Sequence, residues 1–418
     1  MFPTTIDTIV IGAGHSGLIA SWHLSRAGID HVVLERRETL GGGWQDRWDA
    51  FMLVTPNELV RLPGFPFDAD PDAFLTRAEI VDRTASYAAV IGAPVRTAVD
   101  VLRVRPIDGV TGAAAPRFDV RTSDGEVRAR SVIVATGAFQ GPRIPAAGMG
   151  FSPRVAQVHS HHYRRPSDLP EGGVLIIGSG QTGMQLAEEL FEAGRDVVLS
   201  TGRCGRVPRR YRGSDLFHWM RALAVHGHEV GVELPSVDQL PDPRLRFACN
   251  PHLSGHGGGH DTDLREFAKR GIRLAGRFQG ADGERVRFAD DLAANLTFAD
   301  AVFAERFQPM FDRYIAAAGI DAPPGEFAIS DYQPAGITEL DLADAGLSTV
   351  LWTSGYAAEY GWLEGLELDD FGVPRHRRGV SDVPGLTFLG LLWQLNNASA
   401  NLAGVATDAE YLDAYWRA

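Results

Sequence analysis

Gly12-Ala13-Gly14-His15-Ser16-Gly17 follows the apolar run Thr8-Ile9-Val10-Ile11 and opens a segment with helical spacing at Leu18, Ile19, Trp22, Leu24 and Ala27. Gly28 then stops the helix, and His31–Leu34 reads as a second strand that ends in Glu35. Strand, glycine loop, helix and strand with a terminal acid make a βαβ unit of the dinucleotide-binding kind. Gly12 allows the tight turn, Gly14 lets backbone approach a pyrophosphate, and Gly17 lets the helix pack on the strand. The helix N-terminus offers N–H groups and the positive end of its dipole to phosphate. Glu35 has the acceptors for both ribose hydroxyls. His15 reads as a filler side chain.

The same grammar recurs at Gly178-Ser179-Gly180-Gln181-Thr182-Gly183, after Val174-Leu175-Ile176-Ile177 and before a helix over Met184–Ala193, Gly194 and the strand Val197-Val198-Leu199. Two such units imply two dinucleotides. Their strand ends differ. The position matching Glu35 is Thr201, beside Ser200, and Arg203, Arg206, Arg209, Arg210 and Arg212 follow. A carboxylate repels a 2′-phosphate, whereas hydroxyl and guanidinium bind one. The first site is therefore expected to take a dinucleotide with a free ribose, such as FAD, and the second NADP(H). Ser200, Arg203 and Arg206 are the expected 2′-phosphate ligands, and a solvated surface run is the alternative for the arginines.

Supporting loops extend both sites. Gly41-Gly42-Gly43-Trp44 offers close backbone approach at Gly42 and an indole to line a flat ring, with core packing the alternative for Trp44. Ser131-Val132-Ile133-Val134 reads as a buried strand leading into Ala135-Thr136-Gly137, with Pro142 and Pro145 beyond. Val350-Leu351-Trp352 and Leu386-Thr387-Phe388-Leu389-Gly390 are later strand-like runs. The expected fold is α/β with two Rossmann-like dinucleotide-binding domains, the NADP domain inserted in the FAD domain. The boundaries expected are 1–150 for the first part of the FAD domain, 151–345 for the insert with a partly helical segment, and 346–418 for the return.

Composition narrows the function classes. Fifty-three acidic residues against forty basic ones give a net charge of -13, which removes the driving force for nonspecific nucleic-acid or anionic-membrane binding. No apolar run reaches the ~20 residues of a membrane span, and Met1–Thr5 carry no basic leader, so a cytoplasmic protein is expected. The two cysteines, Cys204 and Cys249, form no C-x-x-C, which excludes a disulfide scaffold and the dithiol of a thioredoxin-like reductase. Buried, inert thiols are the commoner state for such residues.

Together GAGHSG, GGGW, VIVATGAFQGPRIP, QVHSHHYRRP, GSGQTG, GRCGRVPRR, RRGVSDVPGLTFLG and SANLAGVATDAEYL resemble the flavin-containing monooxygenases, the class B flavoprotein monooxygenases, and most closely their CzcO-type bacterial branch. The resemblance runs over essentially the whole chain. It implies FAD, NADPH and O2 as cofactors and co-substrate, a C4a-(hydro)peroxyflavin as oxygenating species, and a small organic substrate. In the family fingerprint F-x-G-x-x-x-H-x-x-x-[F/Y], His159 and Tyr163 fit, while Pro153 and Val155 stand where Phe and Gly are expected. Tyr163 replaces the tryptophan of Baeyer–Villiger members, which favours oxygenation at nitrogen, sulfur or an electron-rich heteroaromatic ring. A Baeyer–Villiger reaction on a ketone and a non-catalytic redox sensor are the competing readings.

The resemblance also points to Asn57, in Thr55-Pro56-Asn57-Glu58, as the catalytic side chain facing the flavin, with a turn cap after proline the alternative. Arg47 and Gln394 are weaker candidates. His252, His256 and His260 are spaced four apart, but Gly255 and Gly257-Gly258-Gly259 oppose a helix there, and no metal site is expected. Pro309 is expected to split the apolar stretch 293–318 into two helices. A homodimer is an open option.

Overall fold

Short apolar runs without polar alternation become central parallel strands, because both of their faces are covered. In the computed structural model, which describes residues 4–110, 112 and 115–417, they build two separate sheets. The chain enters the first through β1 (Thr5–Ile11), α1 (His15–Arg26) and β2 (His31–Leu34). Then follow α2 (Arg77–Val90), β3 (Val95–Arg96), β4 (Val101–Pro106), β5 (Phe118–Thr122) and β6 (Gly125–Val134). Spatial order is β3-β2-β1-β6-β5-β4. β1 pairs in parallel with β2 and β6, whereas β4, β5 and the first half of β6 form an antiparallel meander.

The second sheet begins at β7 (Ala156–His159) and continues through β8 (Gly173–Ile177), α3 (Gln181–Glu192) and β9 (Val197–Ser200). Two helices, α4 (Leu216–His226) and α5 (Leu264–Arg270), precede β10 (Arg273–Ala275). α6 (Leu292–Val302) and α7 (Gln308–Ala317) come next, and β11 (Leu347–Trp352) completes an all-parallel sheet of order β10-β9-β8-β11-β7. β12 (Leu386–Phe388) then returns to the first sheet along the second half of β6, and α8 (Val405–Trp416) packs against α1, where His23 Nδ1 meets Asp413 at 3.1 Å. The second Rossmann unit is thus inserted in the first.

The return comes later than the expected residue 346. β11 pairs with β8 and β7, with Trp352 opposite Ile177 and His159. A strand apolar on both faces carries no mark of which parallel sheet it joins, so the sequence of β11 placed it in the wrong one.

The stretch 293–318 divides into α6 and α7 as expected, with Pro309 in the first turn of α7, where its missing N–H costs no hydrogen bond. Phe303–Phe307 forms a wide π-turn between the two helices, and the φ/ψ values at its two ends remain helical. No helix among the described residues is long and apolar enough to cross a membrane.

Candidate active site

The two glycine loops are nearly superposable in their constraints. Gly12 has φ +101°, and a Cβ there would lie 2.7 Å from the Ala135 carbonyl oxygen; Gly178 has φ +113°, and its Cβ would lie 2.9 Å from Thr353 Oγ1. At Gly17 and Gly183 an added Cβ would fall 1.8 Å and 1.9 Å from the carbonyl oxygens of Gly12 and Gly178. Gly14 and Gly180 cap α1 and α3 in extended conformation. Each helix therefore starts hard against its strand with bare backbone facing outward, the cradle a pyrophosphate needs.

Around the first loop the residues fit an adenine dinucleotide. Glu35, 3% exposed, accepts from the Ala13 amide at 2.9 Å and the Arg37 amide at 3.1 Å. A carboxylate has about four acceptor positions, so ribose hydroxyls can use the rest. A Cβ on Gly42 would come within 2.9 Å of Gly14 Cα, so the GGGW turn closes over the loop as expected. Thr136 and Gly137 leave β6 beside Gly12, held by Gln140 Nε2, which donates to Thr136 Oγ1 and the Gly137 carbonyl, both at 3.0 Å. Ser16 is buried against Gly390.

The segment between β12 and α8 closes this site. Gln394, fully buried, accepts from the Gly390 and Leu391 amides at 3.1 Å and 3.3 Å, while its Nε2 has no partner among the described residues. Trp393 and Ala400 hold φ of +54° and +71°, strained values for non-glycine residues. Asp408 accepts from Ser399 Oγ at 3.1 Å, and burial pushes its carboxyl up to about 7. Ser399 and Asp408 lie in the SANLAGVATDAEYL stretch, but the sequence singles out neither as a site residue.

His15 is more than a filler. It lies in the loop under Trp44, whose Nε1 donates to Nδ1 at 3.4 Å, and burial pulls its pKa down to about 4. It is neutral at physiological pH. Trp44 is half-buried, with Phe51 beyond it at a ring separation of 5.9 Å. Arg47 sits over Phe139 at 5.1 Å and Phe51 at 5.8 Å. Tyr356, from the chain leaving β11, lies 5.4 Å from Phe139. These side chains form one run of ring contacts from Trp44 to Tyr356, joining the first domain to the chain that leaves β11.

Asn57 is 3% exposed. Its Nδ2 donates to the Asp70 carbonyl at 2.9 Å and its amide to Ala73 at 2.9 Å, so it braces the 57–73 loop. Its Oδ1 is buried without a partner among the described residues. The side-chain amide therefore has a free acceptor.

The second strand end departs from expectation at two residues. Ser200 Oγ donates to the Gly276 carbonyl at 2.9 Å inside the core, and Arg206, 5% exposed, pairs with Asp300 at 2.7 Å and Asp263 at 3.4 Å. Neither can meet a 2′-phosphate without abandoning buried partners. Thr201 is likewise spent, donating to the Ala275 carbonyl at 2.8 Å. Arg209 pairs with Asp215 at 2.7 Å and Arg212 with Asp312 at 3.0 Å. Arg203 is exposed, 6.0 Å from the Phe298 ring, and Arg210 is exposed as well. Three of the five arginines are structural, because α6, α7 and the start of α4 bring Asp300, Asp312 and Asp215 to them. Gln181 exchanges two hydrogen bonds with the backbone of Leu253, and Thr182 is half-buried in the first turn of α3.

The remaining histidines separate. His252 is fully buried with Nε2 at 2.5 Å from the Ser179 carbonyl, His260 pairs with Glu188 at 3.0 Å, and His256 lies on the surface. His159 bonds the Gly355 carbonyl at 3.1 Å and accepts from the His161 amide, and burial holds it down to about 4. Tyr163, 1% exposed, donates to Glu189 at 3.2 Å. Both fasten the interdomain segment to the second domain.

The family model for pyridine nucleotide-disulphide oxidoreductases matches residues 9–216. An uncharacterized CzcO-like oxidoreductase of Geobacillus kaustophilus is 29% identical over 97% of each chain. The indole-3-pyruvate monooxygenase YUCCA1 of Oryza sativa subsp. japonica is 32% identical over 51% of this chain and 52% of its own. A solved flavin-containing monooxygenase from Stenotrophomonas maltophilia superposes with a TM-score of 0.63 at 22% identity, covering 99% of this chain and 98% of that one.

Proposed function

We propose that this chain, which is similar to the CzcO-like oxidoreductases, is an FAD monooxygenase that takes electrons from NADPH and oxygenates a small organic substrate at nitrogen or sulfur. The observation that carries the reading is the contrast between the two strand ends. Glu35 closes the first loop with an acid that suits a free ribose, and Arg203 is exposed just beyond the second, where no acid takes the place of Glu35. FAD is held by the Gly12–Gly17 loop, Glu35, Gly42 and Thr136–Gly137, and NADPH by the Gly178–Gly183 loop and Arg203.

Bound flavin supplies hydride acceptance from NADPH and activation of O2. The protein supplies the surroundings. Trp44, Phe51, Phe139 and Tyr356 make the cleft apolar and keep water from its floor. Neutral His15 places no charge beneath Trp44. Asn57 presents a desolvated carbonyl oxygen, and Gln394 a desolvated N–H, each costly to leave unpaired and each a ready partner for a polar ligand edge. Arg47 faces two aromatic rings there, while burial lowers its pKa.

The test is direct. The purified chain is expected to be yellow, to consume O2 with NADPH, and to prefer NADPH over NADH; a screen of amines, thioethers and ketones followed by product mass assigns the substrate class. A colourless protein, or equal use of NADH, contradicts the reading.

A further inference from the structure

Cys204 and Cys249 are distant in sequence and adjacent in the fold. The stretch leaving β9 runs parallel to 249–253: Arg206 bridges His252, and the His252 amide donates to the Gly205 carbonyl at 2.8 Å. In that register Cys204 Sγ donates to the Asn250 carbonyl at 3.3 Å, which places its sulfur beside Cys249, and each thiol shifts the other's acidity. Both are free thiols, Cys204 buried and Cys249 exposed. The pair also touches the second glycine loop. A Cβ at Gly180 would lie 3.3 Å from Cys249 Sγ, and the residues just after Cys249 hold the loop through His252 to Ser179 and Leu253 to Gln181.

We propose that Cys204 and Cys249 form a peroxide-oxidised dithiol, a reversible modification site on the lip of the second dinucleotide loop whose cross-linking weakens dinucleotide binding there. Accessibility and acidity both make Cys249 the attacking sulfur. The neighbouring Cys204 thiol lowers its pKa to about 7, while Cys249 and burial raise that of Cys204. The Cys249 thiolate attacks hydrogen peroxide and the O–O bond breaks. Cys249 becomes a sulfenic acid, and the departing hydroxide takes up a proton as water. Cys204 sulfur then attacks the sulfenyl sulfur. The S–O bond breaks, and a second water leaves with the Cys204 proton. Two thiols lose two electrons and one peroxide becomes two waters. Closing the sulfurs to about 2.05 Å moves Cys249 Sγ, which packs against Gly180 of the loop.

The cross-link depends only on the placement of the two sulfurs; its effect on NADPH rests on the function proposed above. Uncoupled turnover of a flavin monooxygenase releases peroxide, so the site lies where its own by-product would restrain reductant entry.

The experiment treats the reduced full-length protein with hydrogen peroxide and reads intact mass, non-reducing peptide maps and NADPH affinity. The expected result is loss of two hydrogen atoms, one linked peptide pair holding Cys204 and Cys249, recovery with dithiothreitol, and an NADPH Kd raised on the order of tenfold. Cys204→Ser and Cys249→Ser should keep their NADPH affinity after peroxide. Unreacted thiols, addition of oxygen without a link, or unchanged affinity in the linked form overturns the proposal. A linked protein whose reduced form binds no NADPH removes the dinucleotide assignment instead and leaves the cross-link standing.

Discussion

The Glu35 carboxylate accepts the Ala13 amide at 2.9 Å, tying the end of β2 directly into the first glycine loop. Glu35→Ala leaves that buried amide without an acceptor, at a cost of about 1–3 kcal/mol, and removes the ribose acceptors as well. We expect the variant to purify with much less flavin than the parent and to melt lower. Flavin-to-protein ratios and thermal denaturation check this; a full flavin complement would contradict the role given to Glu35.

Arg203 and Arg206 lie three residues apart and should behave oppositely. Arg203→Ala removes a charge-assisted contact, so KM for NADPH should rise about 10–100-fold with little change in Tm. Arg206→Ala strips a buried partner from Asp300 and Asp263 and should cost about 3–5 kcal/mol of stability. Steady-state kinetics and melting curves separate the two. A large Tm loss in Arg203→Ala would show that it too is structural.

Asn57→Ala should retain flavin, since Asn57 lies outside the glycine loop, yet release more peroxide per NADPH consumed. The loss of its bond to Asp70 loosens the 57–73 loop, and the cleft loses a desolvated acceptor. Peroxide yield in the presence of substrate is the measurement. Unchanged coupling would reduce Asn57 to a loop brace.

His260 and Glu188 predict a pH signature. The Glu188 hydrogen bond raises the His260 pKa above its ordinary value, whereas burial alone would raise the Glu188 carboxyl and the bonds from His260 and Arg270 carry it below. The His260 contribution is therefore full below about pH 6.5 and fades as pH rises through its raised value. That of Glu188 is present above about pH 4.5 and fades on acidification. The Tm difference between the parent and His260→Gln should peak between those limits and shrink in alkali. A gap that widens with pH would refute the pairing.

Much of this architecture was legible because glycine spacing, strand and helix periodicity and a terminal acid are local properties. Gly12 and Gly178 announce their turns, and Glu35 its ligand. Long-range partners are not local. Arg206 looks like a phosphate ligand until α6 brings Asp300 to it, and Cys204 looks solitary until Cys249 arrives beside it. β11 could not reveal its sheet, because burial on both faces erases the alternation that marks a side. In the site's closing segment Gln394 and Ser399 lie on irregular backbone, and nothing in the local sequence marks the strained conformations of Trp393 and Ala400.

The central claim is that the first glycine loop holds flavin and the second holds its reductant. Anaerobic mixing of NADPH with Gly183→Ala, in which the new Cβ would fall 1.9 Å from the Gly178 carbonyl oxygen, tests it most directly. The account predicts a folded variant with its flavin retained and no longer bleached by NADPH, while dithionite still bleaches it. Loss of the flavin itself, or bleaching by NADPH as fast as in the parent, would contradict the assignment of the two loops.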